Sequence, residues 1–206
     1  MAVIKLTKNE LRAQEMRLAQ LEKYLPTLQL KKTLLQVEVY NARSEVKEAE
    51  LRTQRAQQNV ESFTALMTEV LPISLEESAA VIQVSKRYEN IAGVEIPSFV
   101  GIEFQPLKYA LFDLPPWVDA AIGHLRERAS ALAVEDIARE KALALEYELR
   151  EVSIRVNLFE KILIPDAELN IKRIKVFLGD QQLAAVAQAK VAKAKIAERQ
   201  ARRVRV

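Results

Sequence analysis

Between Leu11 and Phe63 the chain carries two rows of residues spaced by seven. One row is Leu11, Leu18, Leu25, Lys32, Val39, Val46, Thr53 and Val60; the other is Gln14, Leu21, Leu28, Leu35, Ala42, Ala49, Ala56 and Phe63. Only Gln14, Lys32 and Thr53 among them are polar. Alternating steps of three and four place such residues on one narrow face of a helix, the seam that wraps on a second helix. At ~1.5 Å per residue, about 60 residues form a helix on the order of 90 Å long, several times the globular mean. The end of the chain supplies the partner seam at Leu145, Leu149, Val152, Val156, Phe159 and Leu163. Beyond Pro165 the row resumes at Ala167, Ile171, Ile174 and Leu178, and is expected to keep the same phase. The small Ala42, Ala49 and Ala56 invite close approach of the partner.

The expected fold is all-α dominated, a long antiparallel two-helix coiled coil with an insert at its apex. Residues 1–70 form the N-terminal helix, 71–116 a short helix plus β-hairpin, and 117–206 the C-terminal helix with a basic overhanging tail. Thr7-Lys8-Asn9-Glu10 reads as a capping box, with Thr7 taking the Glu10 amide and Glu10 reaching back to the amide of Thr7. Pro72 ends the first helix near Val70-Leu71. A second box, Ser74-Leu75-Glu76-Glu77, opens a helix expected to reach about Tyr88. Val94 and Ile96, then Val100, Ile102 and Phe104, read as hairpin strands separated by Pro97-Ser98, with Gly93 and Gly101 at turns or bulges. Pro115-Pro116 pre-sets the first turn of the last helix.

Antiparallel pairing fixes which residues meet. With the insert at 71–116, facing numbers add to about 187, so Pro26 faces residue ~161, within about a turn of Pro165. Both helices are then interrupted at one level, a shared bend at Pro26 and Pro165. Thr7 faces residue ~180, and the residues beyond that point project as a lone helix.

Composition excludes much. The 206 residues include four glycines, one histidine and no cysteine, which removes disulfides, thiolate chemistry and the common zinc ligand sets. A cytosolic setting fits, no apolar run is long enough to span a membrane, and Met1 to Lys5 lacks a signal-peptide core. Net charge is +3, but seven Lys or Arg stand against Glu198 alone from Val186 to Val206. Without interleaved aromatics and with only small apolar residues in this tail, base stacking and interfacial anchoring are both weakened. A nucleic-acid arm, a membrane-surface segment, a tip lodged in a protein socket and a plain solvated end stay open, with direct nucleic-acid contact not expected. His124 reads as a surface or packing residue. Glu76-Glu77, Glu135-Asp136, Glu148 and Glu151 read as solvated helix faces with i,i+4 pairs rather than as acid/base machinery. No catalytic residue, metal ligand or cofactor cradle emerges.

Three stretches carry a family resemblance: Leu6-Thr7-Lys8-Asn9-Glu10-Leu11, Asn90-Ile91-Ala92-Gly93-Val94-Glu95-Ile96-Pro97, and Arg155-Val156-Asn157-Leu158-Phe159-Glu160 with Leu163-Ile164-Pro165. Together with Ile171-Lys172-Arg173-Ile174 and Leu178 they resemble the D subunit of prokaryotic V-type (V/A-type) ATP synthases and ATPases. The chain differs from the family pattern in a less basic Gln29 to Thr33, in Lys161 and in an alanine-rich tail. The resemblance implies a non-catalytic central-stalk rotor shaft of a proton- or sodium-translocating complex, peripheral on the cytoplasmic side of the membrane. The implied partners are the A and B subunits of the catalytic head, the F subunit of the stalk and a funnel-like component on the membrane ring. On this reading the head-contacting tip is Lys5, Lys8, Arg12, Arg17, Lys190, Lys193, Lys195, Arg199, Arg202 and Arg203. From the residues alone, a stand-alone coiled-coil tether whose basic tail binds an acidic surface or nucleic acid stays open. The size of the insert discriminates, since a tether needs only a turn between its helices.

Overall fold

The computed structural model describes residues 4–65, 71, 73–107 and 114–204, the side chains of 201–204 excepted. Along the chain come α1 (Lys8–Glu61), α2 (Leu75–Ser78), strands β1 (Val81–Ile91) and β2 (Val94–Phe104), α3 (Trp117–Leu158), a π-helical turn (Phe159–Leu163) and α4 (Ile164–Val204). Long helices at both ends of the chain enclose a short helix and an antiparallel hairpin, the fold class that the heptad rows imply. The residues gather into two compact units, 1–29 with 154–206, and 30–153.

In the first unit the start of α1 runs antiparallel to the C-terminal helix, as Glu15 pairs with Lys175 and Gln29 with Glu160. Leu21, Val156, Ala167, Ile171 and Ile174 are buried, and Leu11, Leu18, Leu25, Leu28, Phe159, Leu163 and Leu178 half-buried. The Thr7 hydroxyl accepts the Glu10 amide at 3.3 Å. The reciprocal half of the capping box does not form: the Thr7 amide donates to the Lys5 carbonyl, and the Glu10 carboxylate takes Gln14 instead. α1 passes through Pro26 without a break in the helix. The other helix changes its winding just before Pro165, where the Ile164 amide donates to the Phe159 carbonyl five residues back. The seam consequently does not keep its phase. An unbroken three–four alternation from Phe159 and Leu163 calls for Asp166, Asn170 and Arg173, yet the buried residues are Ala167, Ile171 and Ile174, one place later.

The second unit packs residues 30–61 of α1 on α3 as far as Ser153. Arg43 meets Glu146, Glu45 meets Lys141, Glu50 meets Arg139, and the Phe63 ring lies 5.2 Å from that of His124. Leu35, Val39, Ala42, Ala49, Ala56 and Val60 of the first helix are buried, as are Ala121, Ile122, Ile137, Ala138, Ala142, Leu145 and Val152 of the second. Val46 and Leu149 are half-buried. α1 ends at Glu61 rather than near residue 70. The Ser62 hydroxyl donates to the Asn59 carbonyl, and the amides of Phe63 and Thr64 reach back only three residues, so local bonds tighten the chain into a turn. Residues 66–70 lie outside the description.

The insert also departs from the expectation drawn from its sequence. Ser74 caps α2 by accepting the Glu77 amide, but that helix stops at Ser78 instead of running to Tyr88. Val81–Ile91 is a strand, because pairing with β2 outweighs the helical appearance of its charged residues. Pro97 is not a turn. It lies within β2 opposite Tyr88, tolerated because a two-stranded sheet consists of edges only. The turn is Ala92-Gly93, with φ of 52° and 81°, and Asn90 Oδ1 accepts the Gly93 amide at 3.0 Å. Positive φ at both central residues is what a two-residue hairpin with native twist requires. A register shift at Ser85/Lys86 lies opposite Gly101.

Two substitutions test this packing. Ala49→Leu forces a large side chain into the alanine seam and is expected to cost ~1–3 kcal/mol in denaturant unfolding. Ala92→Gly relieves a left-handed alanine and is expected to raise the unfolding midpoint, consistent with ~1 kcal/mol of strain removed.

Candidate functional site: the basic end and the ion-paired groove

The basic end belongs to the first unit. Lys5, Lys8, Arg12 and Arg17 are exposed, but the helix divides them between two sides. Lys5 and Arg17 line a groove of about 530 Å³ with Leu163, Asp166, Asn170 and Arg173. Lys8 and Arg12 line another, of about 370 Å³, with Lys175, Leu178 and Gln182. From residue 180 to 200 every side chain of α4 is exposed, including Leu183, Val186, Val191 and Ile196. No other described element of the chain covers this stretch. Lys190, Lys193, Lys195 and Arg199 advance by about 100° per residue, so they spread around the helix instead of forming one stripe. The side chains of Arg202 and Arg203 lie outside the description.

The second unit holds a groove that the heptad reading missed. About 710 Å³ in size, it is lined by Tyr40, Val46, Ala142 and Leu143 and bordered by the ion pairs Arg43–Glu146 and Arg139–Glu50. Tyr40 and Leu143 remain 76% and 66% exposed, large apolar groups beside the seam rather than in it. Their off-register positions were the available signal. Hydrogen bonding to Glu50 raises Arg139 above its ordinary pKa, as bonding to Glu140 raises Lys86. Both cations therefore keep their charge at neutral pH. Glu135 corrects the solvated reading of the acidic runs: it is buried, its carboxylate held by Arg139 one turn on. His124 is half-buried against Phe63, with Glu127 3.4 Å away.

Arg126 is a second residue that sequence reasoning missed. Its guanidinium donates to the carbonyls of Ser78 and Gln105, just before β1 and just after β2, and lies over the Phe104 ring at 5.2 Å. One side chain thereby ties both roots of the hairpin to α3. Among the described residues no group of carboxylates and histidine is arranged to hold a metal ion. None of the described helices is long and apolar enough to cross a membrane.

The family model for the D subunit of ATP synthase matches residues 10–194. The chain belongs to this family. It is 43% identical to the V-type ATP synthase D subunit of Chlamydia caviae over 95% of both chains. The D subunit of Chlamydia felis is 44% identical over the same shares. That of Chlamydia pneumoniae is 41% identical over 97% of this chain and 96% of its own. The match thus takes in both long helices, the hairpin, Arg126 and the groove at Tyr40.

Arg126→Ala is expected to loosen the hairpin, raising amide exchange across Val81–Phe104 by the equivalent of ~1.5–3 kcal/mol while the helix signal of the chain persists. Arg126→Lys is not expected to restore protection, because an ammonium lacks the planar fork that reaches two carbonyls.

Proposed function

We propose that this chain is the central-stalk rotor component of a V-type ATP synthase or ATPase, itself non-catalytic. The observation that carries the reading is the similarity to D-subunit relatives over nearly their whole length. In that role it works within a membrane-associated complex, as a peripheral component on the cytoplasmic side. Its partners are the A and B subunits of the head, the F subunit of the stalk and a funnel-like component on the membrane ring. The seams supply the mechanics: turning one helix about the other must shear interdigitated side chains. An asymmetric helix pair inside a three-fold head touches each catalytic interface differently, and unequal contact energies bias the three sites into different states. In this scheme Lys5 to Arg17 and Lys190 to Arg203 face the head, seam residues carry load, and Pro26 with Pro165 marks a shared bend. The stand-alone tether is not favoured, since relatives of matching length are components of a complex.

Affinity purification of the tagged chain from its native source is expected to recover the A and B subunits with ATPase activity. Repeated recovery of neither would overturn the assignment. Replacing Lys190, Lys193, Lys195 and Arg199 together by Glu is expected to weaken association with the head at least tenfold at low salt and less at high salt.

A further inference from the structure

The C-terminal seam contains one residue too many. From Val156 the apolar seam positions run 156, 159, 163, 167, 171, 174 and 178, and the two consecutive steps of four after Leu163 replace a three and a four. Measured against the heptad seam of α1, an unbroken helix carrying that spacing would have the later row one residue out of place, about 100° of rotation. Asp166, Asn170 and Arg173 would then lie where Ala167, Ile171 and Ile174 are buried. The π turn Phe159–Leu163 falls between the two halves of the seam and absorbs one extra residue, which is what a π bulge does.

We infer that this π turn is a register lock: it is the element that keeps both halves of the C-terminal seam facing α1. Two features hold it in place. Pro165 is the second residue after it, where a missing N–H and a ring pressing on the Lys161 carbonyl disfavour ordinary α-helical winding. On the other side Glu160, within the turn, bonds Gln29 of α1, close to Pro26. The alternative all-α winding of the same residues is a defined second state, in which everything beyond Leu163 is rotated about its axis. Burial of Ile171 and Ile174 against burial of Asp166 and Arg173 selects between them. The lock thus fixes the azimuth at which Lys190, Lys193, Lys195 and Arg199 leave the paired region.

The signature is an asymmetry between deletion and insertion. In an ordinary seam, losing or gaining one residue is equally damaging, since each turns the helix by about 100°. Here deletion of the exposed Lys161 removes the spare residue, moves Ile164 into the seam place of Leu163 and leaves a continuous heptad, whereas an alanine inserted after Lys161 adds a second spare residue. Phase is read in the full-length chain carrying Glu15→Cys and Lys175→Cys, joined by a short bis-maleimide; the parent side chains lie 2.8 Å apart. The deletion variant is expected to keep the parent's intrachain cross-linking yield and its unfolding midpoint within a few degrees. The insertion variant is expected to lose most of the yield, at least fivefold, and to unfold earlier. Equal damage from both changes, or equal tolerance of both, would overturn the inference, as would a deletion variant that fails to fold.

Discussion

The constraint on which the structure depends is the removal of one narrow apolar row per helix from water. α1 and α4 are solvated over most of their surfaces, and a solvated helix has little to hold it beyond local propensity. What stabilises them is the seam: Leu21 against the row Val156 to Ile174 in the first unit, Leu35 and Leu145 in the second. Each fully buried Leu or Ile is worth on the order of 1.5–3 kcal/mol relative to exposure. The ion pairs beside the seam are weaker. Arg43–Glu146 and Arg139–Glu50 are solvated at both partners, and pairs of that kind contribute about 0–1 kcal/mol. They select the register in which the helices meet, while apolar burial supplies the energy.

The two units build their seams from different side chains. In the second, Ala42, Ala49 and Ala56 are buried, as are Ala138 and Ala142, so the seam there is built from little side-chain volume. In the first, leucine, isoleucine and phenylalanine fill the interface. Tyr40 and Leu143 stand beside the seam of the second unit and line the groove there. A heptad reading assigns residues to seam or surface and has no category for such positions.

Long-range periodicity made the fold class legible, since each helix repeats its signal many times. Short elements offered no such redundancy. Val81–Ile91 carries Lys86, Arg87 and Glu89 like a solvated helix, and its strand state is decided by β2 across the turn. The proline in β2 misled for the same reason: Pro97 breaks most strands, but not one whose outer edge is unpaired. The basic end was legible as charge, while the partition of Lys5 and Arg17 from Lys8 and Arg12 depends on how the helices face each other. Arg126 was not legible at all, because its acceptors are backbone carbonyls 48 and 21 residues away.

The extra seam residue is the instructive intermediate case. The spacing was present in the sequence, yet a search for apolar residues at steps of three or four accepts 159, 163, 167 and 171 without objection. Only a phase count exposes the surplus, and only the backbone shows how it is absorbed. Pro165 is commonly read as a kink, a defect inherited by the helix. Beside a π turn it has a different consequence. Rotation of one half of the seam against the other must unwind the turn into a conformation the proline opposes, and must also bring the exposed Asp166 and Arg173 out of water. In the proposed rotor role the helix is weakest where its winding can change by one residue. Here that point is blocked on both sides, by ring sterics in the backbone and by desolvation at the seam.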